Sequence, residues 1–288
     1  MKKFAALLLF FSVLSSAQNQ RFIYDYSFVR DTLNKDNISK ELMYLDVSKD
    51  GSKFYSRDAF VADSTRVAYY EKQIQATGAM NVSLTVRPRN SGIITYKVFK
   101  DYPKQEVSLE TRIGGDLFNV ADDRKMVWKI LPEKMKIGEF ETQKATTTFA
   151  GRNWTAYFAT ELPFQDGPYK FSGLPGLIVK MEDASKTHQF ELKGVTKFTP
   201  SKPKISEFNQ EVTPIRITQE KYKKLFWEMR NDPAKDFKQM IVKGNIGNMK
   251  DGNGAAISPT EFIKRTENSA KEKQAKNNNS IEIDMLKP

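Results

Sequence analysis

Residues 167–180 read GPYKFSGLPGLIVK, and the fold turns on this stretch. Three glycines and two prolines interrupt an otherwise aromatic and aliphatic run. It is either a loop that holds a ligand or a bend that a packed sheet requires. Leu174-Pro175-Gly176-Leu177 has proline second and glycine third. That is the composition of a type II turn, where proline fixes φ and glycine accepts φ above zero. Beyond it, Leu177, Val179 and Met181 alternate with Lys180 and Glu182. Glu182 to Lys186 is a polar turn, and His188, Phe190 and Leu192 return opposite Gln189, Glu191 and Lys193. This is a hairpin with one buried face. Gly167-Pro168 ends the preceding strand, while Gly173 and Gly176 let backbone pass close to a neighbour. The stretch predicts a buried corner between two strands.

Period-two patterning extends outward from this corner, over residues 22–198. Phe22, Tyr24, Tyr26 and Phe28 share one face, as do Met43, Leu45 and Val47. Residues 48–51 make a turn, and residues 53–56 the return strand. Further strands are expected over 93–99, 107–113, 117–120, 125–130, 145–149 and 154–161. Short hairpin connections favour antiparallel pairing, because parallel pairs need long crossovers. One internal helix is expected over 61–76, starting at Asp63 or Ser64; a strand and loop is the alternative. After Phe198, prolines punctuate a polar connection. Tyr222, Leu225, Phe226 and Met229 then recur at helical spacing. Asp232-Pro233 reads as the cap of a second short helix. Ser258 to Glu261 is a capping box for a third, which fades into Asn277-Asn278-Asn279 without an apolar face. Residues 244–254 read as loop.

The fold class is therefore mainly β (α+β): a large curved antiparallel sheet, possibly a half-barrel, with C-terminal helices. The expected divisions are a signal peptide over residues 1–17, an antiparallel β domain over 18–200, and a helical, partly flexible basic region over 201–288. The first begins with Lys2 and Lys3, continues through an apolar run from Phe4 to Leu14, and ends in Ser15-Ser16-Ala17. This is the pattern of a cleaved signal peptide, and the run is too short to span a membrane. The expected location is the periplasm or the outside of the cell, with no membrane anchor in the mature chain.

There is no cysteine, which excludes disulfides, thiolate metal sites and a cysteine nucleophile. Net charge is +11 but thinly spread, without the dense basic stripe that nucleic-acid binding favours. The single histidine, His188, is a strand residue without a glycine-flanked serine elbow to serve. One histidine does not make a zinc site. Asp122-Asp123 and Glu182-Asp183 flank turns, whereas glycosidases set two carboxylates across a cleft. No spacing matches a phosphate-binding or dinucleotide loop, so no cofactor is expected.

The run GPYKFSGLPGLIVKMED, preceded by GRNWTAYFATELPFQDGP, resembles the GLPGLI family of exported envelope proteins. The similarity extends from the N-terminus to about Val195. It rests on Gly151-Arg152-Asn153-Trp154, on Tyr157-Phe158, on Glu161-Leu162-Pro163 and on residues 167–183. The motif positions are Trp154, Glu161, Pro163, Gly167, Pro168, Gly173, Leu174, Pro175, Gly176, Leu177 and Ile178. Family members often carry a cysteine before a Lys-Ala pair; here Thr142 stands near Lys144-Ala145. The resemblance brings no catalytic residue with it. It implies a place in the cell envelope and, for some members, association with outer-membrane receptor systems.

Three functions compete. The first is a non-enzymatic envelope protein that binds an apolar, lipid-like or peptide-like ligand, or an envelope protein partner, on the concave face of the sheet. In that reading the Tyr222–Met229 helix or the ligand covers the face. The second is an accessory subunit of an outer-membrane, TonB-dependent receptor. The third is a hydrolase of envelope polymers that uses Glu161 or Asp166.

Overall fold

The computed structural model describes residues 19–78, 90–200, 213–244 and 254–287. The expected signal peptide and most of the 244–254 loop lie outside them. In chain order, β1 (Gln20–Val29), β2 (Ile38–Val47) and β3 (Gly51–Ser56) lead into helix α1 (Arg57–Thr77). There follow β4 (Lys97–Asp101), β5 (Glu106–Ile113), β6 (Asp116–Asp122), β7 (Lys129–Ile137), β8 (Phe140–Phe149) and β9 (Arg152–Ala159). Next come β10 (Leu177–Asp183), β11 (His188–Lys197) and β12 (Ile215–Thr218). Helices α2 (Gln219–Asn231), α3 (Lys235–Val242) and α4 (Pro259–Ala275) complete the chain, with a 3-10 turn at Ile283–Leu286.

The strands form one open sheet in the order β12-β6-β5-β4-β3-β2-β1-β11-β10-β9-β8-β7. Every neighbouring pair is antiparallel except β12 with β6, which is parallel. The connectivity alone forces the sheet to curl. Strands β6 and β7 stand ten places apart, which in a flat sheet is roughly 48 Å. They are joined by only six residues, Asp123–Trp128, a span of at most about 25 Å. The two ends must therefore approach each other. Accordingly the Arg124 guanidinium, just past β6, lies 4.7 Å from the ring of Phe149 at the end of β8.

The inner face carries Phe22, Tyr24, Tyr26, Met43, Leu45, Phe54 and Val98, all buried as the period-two pattern predicts. Much of this face is covered from within the chain, with only a margin left to helix α2. The cover is segment 160–176, between β9 and β10, which folds into the concavity. A loop of this length without its own regular structure is uncommon inside a compact domain. It stays because it buries Tyr169, Phe171 and Leu174, each worth about 1.5–3 kcal/mol. Phe171 packs edge-on against Trp154 and Phe149, and Phe164 against Phe22. Helix α2 adds only Tyr222 and Leu225 to the margin of the core.

The corner itself departs from a type II turn. Gly176 N donates to Leu174 O at 2.8 Å, a three-residue turn, and Gly176 has φ of +156°. A Cβ at Gly176 would sit 2.3 Å from Ala159 O, so glycine is required for this close approach. Strand β9 ends at Ala159, before Gly167-Pro168, and Ile178 is buried along with Leu177 and Val179. Both faces of β10 are covered at its start because Gly167 packs directly on Ile178.

Other expectations also shift. The internal helix starts earlier, with Ser56 as its cap, accepting from Ala59 N. The 93–99 strand begins only at Lys97, and residues 123–128 form the crossover rather than a strand. Asp232 closes α2 instead of opening α3, whose cap is Ala234. Ser258 caps α4 as expected, accepting from Glu261 N. Beyond α4 the chain does not fade out: Asn279, Ile281, Glu282 and Met285 are buried.

Candidate groove and its buried ion clusters

Lys170 lies in the middle of the opening stretch, between aromatic residues, and is 1% exposed. Its ammonium donates to Asp122 Oδ2 at 2.7 Å and to Glu282 Oε1 at 2.6 Å. Arg124 joins from the crossover, reaching Asp122 at 2.6 Å and Glu282 at 3.0 Å. The Tyr169 hydroxyl donates to the same Glu282 oxygen at 2.7 Å. An unpaired buried charge is costly, so these groups require one another. Burial opposes ionisation of Asp122, but the hydrogen bond from Arg124 and the charge of Lys170 outweigh it and hold the carboxyl at about 2. Glu282 is likewise held below its usual range: burial opposes this, and Lys170 and Arg124 prevail. Two carboxylates from distant segments thus meet on one lysine. Both are kept ionised, which suits a structural clamp and not a general acid, whose pKa must be raised.

A second cluster fixes the start of the same loop. Lys100, on β4, donates to Asp166 Oδ1 at 2.5 Å and to the carbonyls of Gly167 and Phe171 at 2.7 and 3.1 Å. The Tyr102 hydroxyl takes the other Asp166 oxygen. Burial pulls the Lys100 ammonium below its usual range, against the opposing pull of Asp166. The loop is therefore pinned by ion clusters at both Asp166 and Lys170.

A groove of about 920 Å³ opens beside these clusters. Strands β5 and β6 wall one side, the crossover and the lip Ser172-Gly173 the other, and Lys170, Asp122 and Arg124 lie at its floor. Lys104, Lys125, Asp101 and Asp123 bring both signs of charge to its lining. A smaller pocket of about 300 Å³ lies on the other side of the same lip, reaching Lys100 and Tyr102 between Val47, Pro163 and Phe164. Ser172 and Gly173 belong to both. The opening stretch is thus a packed bend whose exposed lip separates two pockets.

The motif positions scatter around this arrangement. Trp154 is core, its indole donating to Phe149 O at 3.1 Å. Gly167, Pro168, Leu174, Gly176, Leu177 and Ile178 are buried, and Pro175 is exposed. Pro163 and Gly173 line pockets. Glu161 is exposed on a turn and lines neither pocket, whereas Asp166 is fully buried; the two carboxylates do not share a cleft wall. His188 is buried, with Nδ1 2.7 Å from the Tyr26 hydroxyl. Burial and the nearby Arg152 charge push it down to about 4, against Asp183. Among the described residues no set of three His, Asp or Glu side chains converges as a metal site, and no helix is long and apolar enough to cross a membrane.

Sequence reasoning missed Lys100, Arg124, Lys170 and Glu282, and gave Arg152 only as a motif residue. One signal was present: Lys170 stands directly between Tyr169 and Phe171, two aromatic neighbours that draw it inward.

No family model matches the chain, and no curated protein matches it. Among solved structures, two crystal forms of PNGF-II are similar at 16% identity and a TM-score of 0.49. The match covers 74% of this chain and 34% of that chain, so this chain spans about a third of the protein it matches.

Proposed function

We propose that this is an exported, non-enzymatic cell-envelope protein of the GLPGLI type that binds a protein partner or a peptide-like ligand in the groove beside Lys170. One observation carries the reading. The apolar concavity is filled by the chain's own segment 160–176, while an open groove of about 920 Å³ with both signs of charge remains beside it. Polar walls on a rigid sheet suit a polar, extended ligand better than a lipid tail. The carboxylates at its floor are neutralised by Lys170 and Arg124, which supports binding over acid–base chemistry.

The test is capture from envelope extracts together with native mass spectrometry of the purified protein. The expected result is a bound peptide or protein that is lost when Lys104 and Lys125 are both changed to glutamate. A protein that carries no ligand and captures no partner, with both groove lysines intact, overturns the reading.

A second reading, an accessory subunit for an outer-membrane receptor, is favoured by β7. That strand is outermost in the sheet, and most of its residues are exposed, so an added strand can pair there. In-cell crosslinking from Lys134 separates it from the groove reading.

A further inference from the structure

Residues 278–286 form a strap across the mouth of the curled sheet. They pair with no β-strand. Backbone bonds tie them only to strand ends, Asn278 N and Asn279 N to Arg30 O and Asp284 N to Ala150 O, and side chains hold the rest, as a protein holds a peptide ligand. Arg152, at the start of β9, donates to Asn279 Oδ1 at 2.5 Å and to the carbonyls of Ser280 and Ile281 at 2.6 and 3.2 Å. Asn279 in turn donates to Val29 O at 2.8 Å. Glu282 receives Lys170, Arg124, Tyr169 and, at 3.2 Å, Gln219. Ile281 and Met285 are buried beside it. Gly151 is needed for the seat as well: a Cβ there would lie 2.9 Å from Ile283 Cγ2.

The seat is built from five separate regions: the end of β1, the Gly151-Arg152 corner, the crossover at Arg124, Tyr169-Lys170, and Gln219 at the start of α2. Gly151-Arg152 belongs to a motif that the groove leaves unexplained. It reads backbone carbonyls, an asparagine amide and a buried carboxylate, which is the chemistry of sequence-selective peptide recognition. The strap and the groove also share Asp122, Arg124 and Lys170.

We propose that this seat is a peptide-recognition site, filled in cis by the chain's own residues 278–286. The partner it fits in trans is an acidic peptide with asparagine followed three positions later by glutamate and then by a 3-10 turn. The strap then competes with a partner for one end of the groove. This rests on the reading of the groove as a partner site, and it names the chemistry of that partner.

The experiment uses the full chain, with a site-specific protease sequence inserted after Lys276 and cut after folding. Fluorescein-labelled peptide 277–288 is then added and followed by anisotropy and native mass spectrometry. The expected result is replacement of the cut tail by labelled peptide. A peptide carrying Glu282→Gln should bind at least about tenfold more weakly, since a buried charge-assisted contact is lost. The same loss is expected for unaltered peptide on an Arg152→Lys protein, while uncut protein takes up no label. A cut tail that cannot be exchanged, or a protein that unfolds on losing it by circular dichroism, overturns the proposal. So does equal binding of the Glu282→Gln peptide. These readouts use a defined peptide, so their failure leaves envelope capture through Lys104 and Lys125 standing.

Discussion

The ammonium of Lys170 lies 2.6 Å from a carboxylate oxygen of Glu282, 112 positions away in sequence. The same ammonium is 2.7 Å from Asp122. One side chain thus ties the loop that fills the concavity to the end of β6 and to the C-terminal strap. Lys170→Met would leave two buried carboxylates with only Arg124 between them. Removing one partner of such a cluster costs about 3–5 kcal/mol. Urea unfolding should show a loss of that order, and Glu282→Gln should be milder in the Lys170→Met background than alone. Strictly additive losses in that double-mutant cycle would refute the coupling.

Gly176 and Gly173 belong to the same hexapeptide but bear different loads. An alanine Cβ at 176 meets Ala159 O at 2.3 Å, a backbone atom that cannot move aside. At 173 the nearest atom is Trp128 Nε1 at 3.9 Å, and only the φ of +92° resists alanine. Gly176→Ala should therefore cost about 2–4 kcal/mol, combining clash and strain. Gly173→Ala should cost about 1–2 kcal/mol. Thermal unfolding of the two variants checks the order; a Gly173 variant less stable than the Gly176 variant would reverse the assignment.

Glu161 offers the opposite expectation. It is exposed on a turn and lines neither pocket, so Glu161→Gln should change stability by less than about 0.5 kcal/mol. It should also leave partner capture unchanged. Loss of capture in this variant would place the binding surface away from the groove.

The sheet was legible because local signals state it plainly. Phe22, Tyr24, Tyr26 and Phe28 alternate with half-buried residues, and the β10–β11 hairpin carries the same period. The bend at Gly176 was legible for the same reason, since only glycine tolerates that approach, although the turn proved tighter than its proline suggested. The cover of the concavity was not. Residues 160–176 have no periodicity, and what holds them is a set of long-range ion pairs through Lys100, Asp166 and Lys170. Such pairs join residues far apart in sequence, and a lysine that will be buried looks like one that will be solvated. The strap was misread for a related reason. Asn279 and Glu282 are polar, and polarity reads as exposure until Arg152 and Lys170 are known to face them.

Acid should unfold the protein in two stages. His188 sits against Tyr26, with Arg152 and Asp183 facing it, and stays neutral in the fold down to about 4. In the unfolded chain it titrates near 6.5. Between these values the unfolded state binds the extra proton, so stability falls as pH drops from 6.5 to 4, by up to about 3 kcal/mol. Asp122 acts at lower pH. Its folded value of about 2 lies below the ordinary 3.8, so the stability it contributes is complete above 3.8 and is lost as pH falls through 2. Glu282, also depressed, adds to this second stage. Urea midpoints measured from pH 7.5 to pH 3 should show the first decline in the unaltered protein. His188→Asn can no longer take up the proton, so its decline between pH 6.5 and 4 should flatten, from a lower starting stability because the bond to Tyr26 is altered. A midpoint that holds constant over that interval in the unaltered protein would mean that His188 is not kept neutral by the fold, and that the burial of this corner by the strap is looser than its contacts imply.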